Sequence, residues 1–466
     1  MKPVFTSFSV PAFLGAALGA SVLALSVKAL VILAGIAVLI AMATSSVFAY
    51  FILVTTMPVH VDVFGELTVT KLTVPLVIGM VMFNALVRRG PWPALTQWPA
   101  GYLAGLFFLV SAASFVFTEH ERFLPAEFLK IPVYAAFFFF TLTFIRNTDD
   151  CRRLLWVLAI TGLVEAIITA AQVHYGFVMP GDWRRNIGLP IDGAMDGSFM
   201  SFQEGKIRAE GTTPHPIALA SFFLVAIPCT TFLCMTEARP WIKGLLGGAL
   251  ALMVYAWWYT YARSSVIGFA FLILVVLWFR SKIVRTLVPI GIGILITGVL
   301  SYQVVAQWFD AGIQTIESQS FLAKADLNEA SGSFQFRLES IVGGWNLFWA
   351  HPWLGVGMGG SILHNAKYLP SWATHPFHPA TIHNTFLEIG SESGIFALAG
   401  FVGLWAWAFV CLKRGLDLPE VRPYAALWMS VLVGQLAFLM ITPMMREIWL
   451  TLPMAIAIGN MARKTI

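Results

Sequence analysis

The stretch HNTFLEIGSESG, residues 383–394, joins the polar segment 306–383 to an apolar run long enough to cross a membrane. A histidine, an asparagine and two glutamates are costly in hydrocarbon, so membrane proteins keep such groups where they face a wet cavity or a partner. Ionisable groups at that depth indicate a functional site by default. The stretch therefore predicts both a membrane-spanning helix and the place where chemistry is concentrated.

The composition of the whole chain indicates a membrane protein with many spans. Of its 466 residues, 58% are hydrophobic and only 11% are charged, whereas soluble domains carry about 25% charged residues. No Walker loop occurs, which argues against ATP-driven chemistry, and the glycines of GVGMGG follow no predicted strand, which argues against a dinucleotide fingerprint. The net charge of +5 lies on loop lysines and arginines and does not indicate a nucleic-acid partner.

Apolar runs of spanning length recur along the chain. They lie at 66–87, 98–118, 125–145, 153–173, 215–236, 241–260, 264–280, 284–305, 384–412, 423–441 and 447–462. Residues 10–54 add one long span or two short ones, giving twelve or thirteen in total, and we favour twelve. The sequence thus predicts an all-α, polytopic membrane protein with about twelve transmembrane helices in a single membrane domain, residues 1–466.

The distribution of basic residues predicts the orientation of the chain. Alternate connections carry the lysines and arginines, and the positive-inside rule places those connections in the cytoplasm. They are Arg88–Arg89, Arg146 with Arg152–Arg153, Arg239 with Lys243, Arg280–Lys282–Arg285, Lys413–Arg414 with Arg422, and Arg463–Lys464. The long loops 174–214 and 306–383 are then external, and every histidine lies on that face or at its edge.

The second external loop contains a predicted amphipathic helix. Apolar residues recur three or four positions apart from Phe334 to Phe348, after Ser331-Gly332-Ser333, and Pro352 ends the pattern. Residues 307–330 are also mostly helix formers, whereas GVGMGG and residues 370–379 have the composition of irregular loop. Such a helix would lie against the membrane or cap a cavity.

Four elements bring candidate functional residues to this external face. They are RAEGTTPHP with Arg208, TYARSS with Arg263, the amphipathic helix with Arg337, and the helix start with His383 followed by Asn384, Glu388 and Glu392. Asn384, Glu388 and Glu392 are spaced i, i+4 and i+8, which puts them on one helical face as supporting groups. Arginine forks suit a diphosphate, and a histidine can orient or deprotonate an acceptor hydroxyl.

Each of these residues also has an ordinary structural interpretation, which the sequence leaves open. An interfacial arginine can be a snorkelling anchor, which is the interpretation we keep for Arg446. His383 can be a hydrogen-bonding group at a helix start, and Glu388 can cap the helix or pair with an arginine. Glu165, inside the run 153–173, is interpreted as a packed, hydrogen-bonded group.

Histidines in HPFHPATIH, residues 375–383, resemble a metal-ligand spacing. The two prolines break any helix that would present these rings together, and no cysteine or carboxylate lies between them. The four cysteines of the chain form no CxxC motif either. We therefore predict no metal site and no cofactor.

The motifs resemble those of the bacterial O-antigen ligase and polysaccharide polymerase superfamily of membrane glycosyltransferases. The resemblance covers residues 200–400 and rests on RAEGTTPHPIALA, TYARSSVIGF, FRLESIVGGWNLFWAHPWLGVGMGG and HNTFLEIGSESGIFALAGF. It implies a fold of about twelve spans with a periplasmic helical subdomain, here residues 306–383, in the bacterial inner membrane. It also implies that Arg208 and Arg263 bind the diphosphate, that Arg337 is the arginine of the periplasmic helix, and that His383 is catalytic.

The implied reaction takes a glycan from undecaprenyl diphosphate and passes it to an acceptor hydroxyl at the periplasmic face, without metal. The implied partners are that lipid-linked donor, a lipid A-core or lipid-linked glycan acceptor, and membrane lipids. Ligase and polymerase both remain open, since the motifs recur in both. A transporter or flippase for the same lipid-linked sugars is the alternative from a different class, and a non-catalytic assembly partner is a third.

Overall fold

The computed structural model describes residues 39, 41–42, 44–59, 62–64, 67–87, 98–117, 128–175, 201–203, 206–280, 324–370, 373, 381–443 and 446–464. Four predictions lie wholly or mostly outside these residues. They are the first part of the run 10–54, the span 284–305, the helix-forming stretch 307–330 up to residue 323, and the Pro-rich segment 370–379.

Helices dominate the described residues. They are α1 (Ser46–Thr55), α2 (Val69–Val87), α3 (Ala100–Ser114), α4 (Lys130–Phe144), α5 (Thr148–Tyr175), α6 (Pro216–Thr236), α7 (Pro240–Trp258), α8 (Arg263–Arg280), α9 (Lys324–Ala350), α10 (Ser361–His364), α11 (Thr385–Asp417), α12 (Arg422–Leu439) and α13 (Ile448–Lys464). Short 3-10 turns occupy Phe115–Phe117 and Asn365–Tyr368.

Two short antiparallel strand pairs interrupt this helical architecture. Strand β1 (Asp62–Phe64) pairs with β2 (Leu67–Thr68), and β3 (Ser201–Gln203) pairs with β4 (Lys206–Arg208). The all-α prediction omitted both pairs, since segments this short carry no clear alternation of apolar and polar residues. The second pair matters for the site because β4 ends at Arg208.

Ten predicted apolar runs coincide with helices α2–α8 and α11–α13. Among the described helices, α5, α6, α7, α8 and α11 are long and apolar enough to cross a membrane by length and composition. Shorter apolar helices include α1, α3 and α4. The chain is therefore a helical membrane protein, and the total of twelve spans remains a prediction.

One local prediction about the external loop was wrong. The Ser331-Gly332-Ser333 triplet was expected to precede the amphipathic helix, yet α9 runs without interruption from Lys324 to Ala350. Serine and glycine lower helix propensity by less than about 1 kcal/mol each, which neighbouring turns can offset. The predicted end before Pro352 is confirmed.

An aromatic cluster around Trp449 joins four helices. The ring of Trp449 at the start of α13 stacks on Tyr134 of α4 with centroids 5.6 Å apart. Phe107 of α3 and Phe401 of α11 lie 4.8 and 5.9 Å from the same ring. Aromatic pairs at such distances add about 0.5–1.5 kcal/mol each beyond area burial, so this cluster fixes α11 against α3, α4 and α13.

Small residues let α8 and α12 approach backbone to backbone. A Cβ added to Gly268 would lie 3.0 Å from the Gly434 carbonyl oxygen, and one added to Gly434 would lie 2.8 Å from the Gly268 oxygen. Close packing through small residues is the usual way that helices associate in membranes. It fixes α8, whose first residue is Arg263, against the rest of the bundle.

Candidate active site

The turn that follows Arg208 is fixed to helix α5 by two polar side chains. Gln172 accepts the Gly211 N–H and donates to the Gly211 carbonyl, both at 2.8 Å. Glu165 accepts the Thr212 backbone N–H at 2.9 Å and also bonds the Thr212 hydroxyl. Because both turn residues are held, the backbone directly after Arg208 has a fixed position.

Arg208 also contacts the turn between α7 and α8. Its Nε donates to the Thr260 carbonyl oxygen at 3.1 Å, and the next residue, Ala209, donates its N–H to Tyr259 at 2.9 Å. Three residues after Thr260, α8 begins at Arg263. The two motifs that carry Arg208 and Arg263 are therefore joined directly, as the sequence predicted from their common face.

Helix α9 brings Arg337 beside His383. Ser340, one turn after Arg337, donates its hydroxyl to the Thr381 carbonyl at 2.7 Å and accepts the His383 backbone N–H at 3.2 Å. The Phe336 ring meets the His383 ring edge-on, with centroids 5.9 Å apart. Ser340 was not among the predicted residues, although its position one turn from Arg337 could have suggested it.

The three arginines act on one another electrostatically. Burial is the largest cause of a lowered pKa at Arg208, and the charges of Arg337 and Arg263 lower it further while Glu210 opposes them. Burial also lowers the pKa of Arg337, with Arg263 adding to the effect. Arg208 and Arg337 are half-buried and Arg263 is exposed, and the repulsion among the three cations favours a polyanionic ligand.

His383 is a neutral imidazole in this setting. Burial, and after it the charge of Arg337, lowers the pKa of His383 to about 4. Its Nδ1 atom is buried and has no hydrogen-bond partner within the described part of the chain. A neutral ring with an unused nitrogen can accept a hydrogen bond or a proton from a bound molecule.

Asn384 caps helix α11 and contacts no predicted ligand group. Its side-chain oxygen accepts the N–H groups of Phe386 and Leu387, each at 3.0 Å, and its amide donates to the Met440 carbonyl at 3.0 Å. Asparagine is among the best N-cap residues for this reason. Asn384 supports His383 by fixing the helix start immediately after it.

Glu392 holds the loop between α9 and α11. Its carboxylate accepts the Ser361 hydroxyl at 2.5 Å, and its backbone carbonyl accepts the Gly357 N–H at 2.9 Å. Glu392 is buried, whereas Glu388, one turn earlier, is half-buried in the first turn of α11. The structure thus gives Glu392 a structural role and places Glu388 nearer the helix start that carries His383.

A break in α11 at Gly394 admits that same loop. Gly394 has φ of 78°, a left-handed conformation that favours glycine, and the Pro352 carbonyl accepts the N–H of the following residue, Ile395, at 2.8 Å. A Cβ at Gly394 would lie 2.0 Å from the Trp353 carbonyl oxygen. The GSESG part of the motif therefore builds a docking point for a loop rather than a binding surface.

Arg446 and its neighbour Glu447 contact protein groups at the start of α13. One Arg446 nitrogen lies 3.4 Å from both the Met57 carbonyl oxygen and the Thr70 hydroxyl. Glu447 is buried and accepts the Ser221 hydroxyl of α6 at 3.0 Å. Glu447 was not among the predicted site residues, although a carboxylate at the start of the apolar run 447–462 could have suggested it.

Two of the histidines considered as metal ligands, His375 and His378, lie outside the described residues. The expectation of no metal site therefore remains a prediction. Within the described ranges, no group of three His, Cys, Asp or Glu side chains is close enough together to hold an ion.

Part of the chain matches a known protein family. Residues 248–402 match the family model described as O-antigen ligase. The matched part contains Arg263, Arg337 and His383, whereas Arg208 precedes it. No curated protein matches the chain.

Proposed function

We propose that this chain, whose residues 248–402 belong to the O-antigen ligase family, is a membrane glycosyltransferase that uses a glycan linked to a lipid diphosphate. The observation that carries the proposal is the coupling of Arg208, Arg263 and Arg337 beside the neutral His383. Arginine forks bind phosphate oxygens bidentately and keep their charge in half-buried sites.

In the proposed reaction, an acceptor hydroxyl attacks the anomeric carbon of the donor sugar. The new glycosidic bond forms as the bond from that carbon to the phosphate oxygen breaks, and undecaprenyl diphosphate leaves with the bonding electrons. His383 takes the hydroxyl proton, while the arginines stabilise the charge on the leaving diphosphate. Residues on this chain thus supply both the base and the counter-charges, and the proposed step needs no metal.

The donor would also prepare the base. In the free protein, burial and, after it, the charge of Arg337 disfavour a proton on His383. A bound diphosphate would add negative charge beside the arginines, offset the effect of Arg337 and so raise the pKa of His383. A base whose pKa lies near the operating pH transfers protons most efficiently. His383 would therefore become a competent base when the donor is in place.

The proposed location is the bacterial inner membrane, with the site at the periplasmic face. Arg208 precedes α6, Arg263 begins α8, and His383 precedes α11, so these three residues lie at the ends of apolar helices. Transporters instead tend to place ionisable groups near the membrane midplane on broken helices. This placement favours transfer over the alternative of a transporter or flippase. A non-catalytic assembly partner would tolerate loss of His383.

A paired assay on the purified full-length chain in liposomes tests the proposal. Glycan transfer from a lipid-linked donor is measured beside movement of that donor across the bilayer, for wild type and for His383→Ala and Arg263→Ala. We expect transfer by the wild type and its loss in both variants, each shown to be folded. Full transfer by the variants, or movement without transfer, would overturn the proposal.

The acceptor separates a ligase from a polymerase. Ligases would pass the glycan to lipid A-core, and polymerases would pass it to another lipid-linked repeat unit. In a deletion strain, a ligase predicts long chains left on the carrier lipid, and a polymerase predicts single repeat units there. Analysis of the carrier-linked glycan distinguishes the two outcomes.

A further inference from the structure

A second cationic site lies at the other end of α11 from His383. Arg414 is in the last turn of α11, and Arg463 is near the end of α13. About 20 residues separate Arg414 from the break at Gly394, or roughly 30 Å of helix at 1.5 Å per residue, and the helix start lies beyond that break. The two arginines belong to the connections that the positive-inside rule places in the cytoplasm. They therefore cannot belong to the site around His383.

Both guanidinium groups face the same indole ring. The central carbon of Arg414 is 5.0 Å from the Trp407 centroid, and that of Arg463 is 5.3 Å from it. Because both carbons are this close to one centroid, they are at most about 10 Å apart. Each contact with the ring is favourable, but the two positive charges repel one another at this separation.

The described protein groups do not neutralise this pair. Neither arginine makes an ion pair with a carboxylate in the described ranges. The Nη1 atom of Arg414 is buried and has no hydrogen-bond partner among the described residues. The negative ends of α11 and α13 favour nearby cations, yet they leave this donor unused. An unused buried donor beside two uncompensated charges calls for an acceptor that carries negative charge.

An exposed apolar surface lies along the helix that carries Trp407. Helix α11 is long and apolar enough to cross a membrane, and Val402 and Val410, which precede and follow the half-buried Trp407 in the chain, are exposed. An anion bound at the arginines would therefore sit where an exposed apolar surface ends. A molecule with a phosphate head and acyl chains matches both parts of this surface.

We infer that Arg414, Arg463 and Trp407 bind the phosphate headgroup of an anionic phospholipid, with its acyl chains along α11. The guanidinium groups donate to the phosphate oxygens, and Arg414 Nη1 supplies one of those bonds. This site is independent of the proposed glycan transfer, because none of its residues lies near the cations around His383.

Native mass spectrometry of the detergent-purified full-length protein tests the inference. The protein is titrated with cardiolipin, phosphatidylglycerol or phosphatidylcholine, and the lipid-bound fraction is measured. We expect the anionic lipids to be retained over phosphatidylcholine, and Arg414→Gln with Arg463→Gln to weaken their retention by about tenfold or more. Arg422→Gln is the matched control, since Arg422 lies near the same helix end and its Nε donates to the Leu416 carbonyl.

A single variant and a competition measurement complete the test. Arg463→Gln alone changes an exposed residue near the end of α13, so it reports on binding even if the double variant fails to fold. Inorganic phosphate and glycerol phosphate are added as competitors, and displacement of lipid at millimolar concentration would show a free-phosphate site instead. Equal retention of all three lipids, or unchanged retention in the arginine variants, would overturn the inference.

Discussion

The cations and the buried carboxylates on the face that carries His383 have opposite surroundings. Glu165 and Glu392 each accept a hydroxyl hydrogen bond, from Thr212 and Ser361, and each thereby holds a loop in place. Arg208 and Arg337 make no ion pair within the described ranges, and they lie where other arginines repel them. The carboxylates thus serve the fold, whereas the arginines are held in a state that a bound anion would relieve.

This contrast predicts opposite effects on stability. Sites built for ligands commonly cost stability, and their removal is neutral or stabilising in the free protein. Substitutions of the carboxylates should lower the melting temperature, and substitutions of the arginines should lower function instead.

His383→Ala should produce the largest loss of function. Removal of a general base costs about 100-fold to 10,000-fold in rate, and we expect kcat for glycan transfer to fall within that range. The control is His174→Ala, because His174 is exposed at the end of α5 and its ring bonds the Tyr255 hydroxyl, away from His383 in the chain. A rate within threefold of wild type for His383→Ala would show that another group acts as the base.

Gly394→Ala should severely destabilise the loop that docks on α11. The added Cβ would meet the Trp353 carbonyl oxygen at 2.0 Å, and φ of 78° is unfavourable for alanine. A thermal melt of the detergent-solubilised variant should show a large fall in melting temperature. Gly247→Ala is the control, since Gly247 lies in α7 with no atom within 4 Å of an added Cβ. Equal melting temperatures for the two variants would contradict the account.

Glu392→Ala should destabilise the protein by about 1–3 kcal/mol, because it leaves the buried Ser361 hydroxyl unpaired. Activity per folded molecule should change little. Arg337→Gln should show the reverse pattern, with an unchanged or raised melting temperature and weaker donor binding. A double-mutant cycle with Ser361→Ala measures the coupling directly. If the effects of the two substitutions on the free energy of unfolding were additive, Glu392 and Ser361 would not be coupled, and the proposed structural role of Glu392 would be contradicted.

The pH dependence of transfer should report the environment of His383. The pKa of His383 is lowered to about 4 in the free protein, so kcat/KM should fall only as pH drops through about 4. The corresponding fall in kcat should occur at higher pH, since the bound diphosphate favours the protonated ring of His383. Arg337→Gln should move the kcat/KM limb upward by removing a nearby positive charge. A limb unaffected by Arg337→Gln would show that the two groups are not coupled.

The stability of the folded protein should also depend on the protonation of His383. Because the folded-state pKa of His383 lies below its usual value of 6.5, the unfolded chain binds the proton more readily. The contribution of His383 is therefore fully present above about pH 6.5 and is lost as pH falls towards 4. The melting temperature of wild type should decline more steeply across this interval than that of His383→Gln, which has no titrating ring at this position.

Hydrophobic runs and isolated polar residues made much of this architecture predictable. Run length located ten helices, and chain position placed Arg208, Arg263, Arg337 and His383 on one face. The supporting contacts were less predictable because they join residues far apart in sequence, such as Gln172 with Gly211 and Ser340 with Thr381. Spacing alone grouped Asn384 and Glu392 with the site, whereas their partners show a cap and a loop anchor.

In the proposed site, the arginines bind the diphosphate while His383 acts on the acceptor. This division of roles is tested by measuring the binding of undecaprenyl diphosphate to wild type, Arg337→Gln and His383→Ala. We predict at least about tenfold weaker binding for Arg337→Gln, and near-normal binding without transfer for His383→Ala. Equal binding by wild type and Arg337→Gln, or lost binding in His383→Ala, would contradict this division of roles.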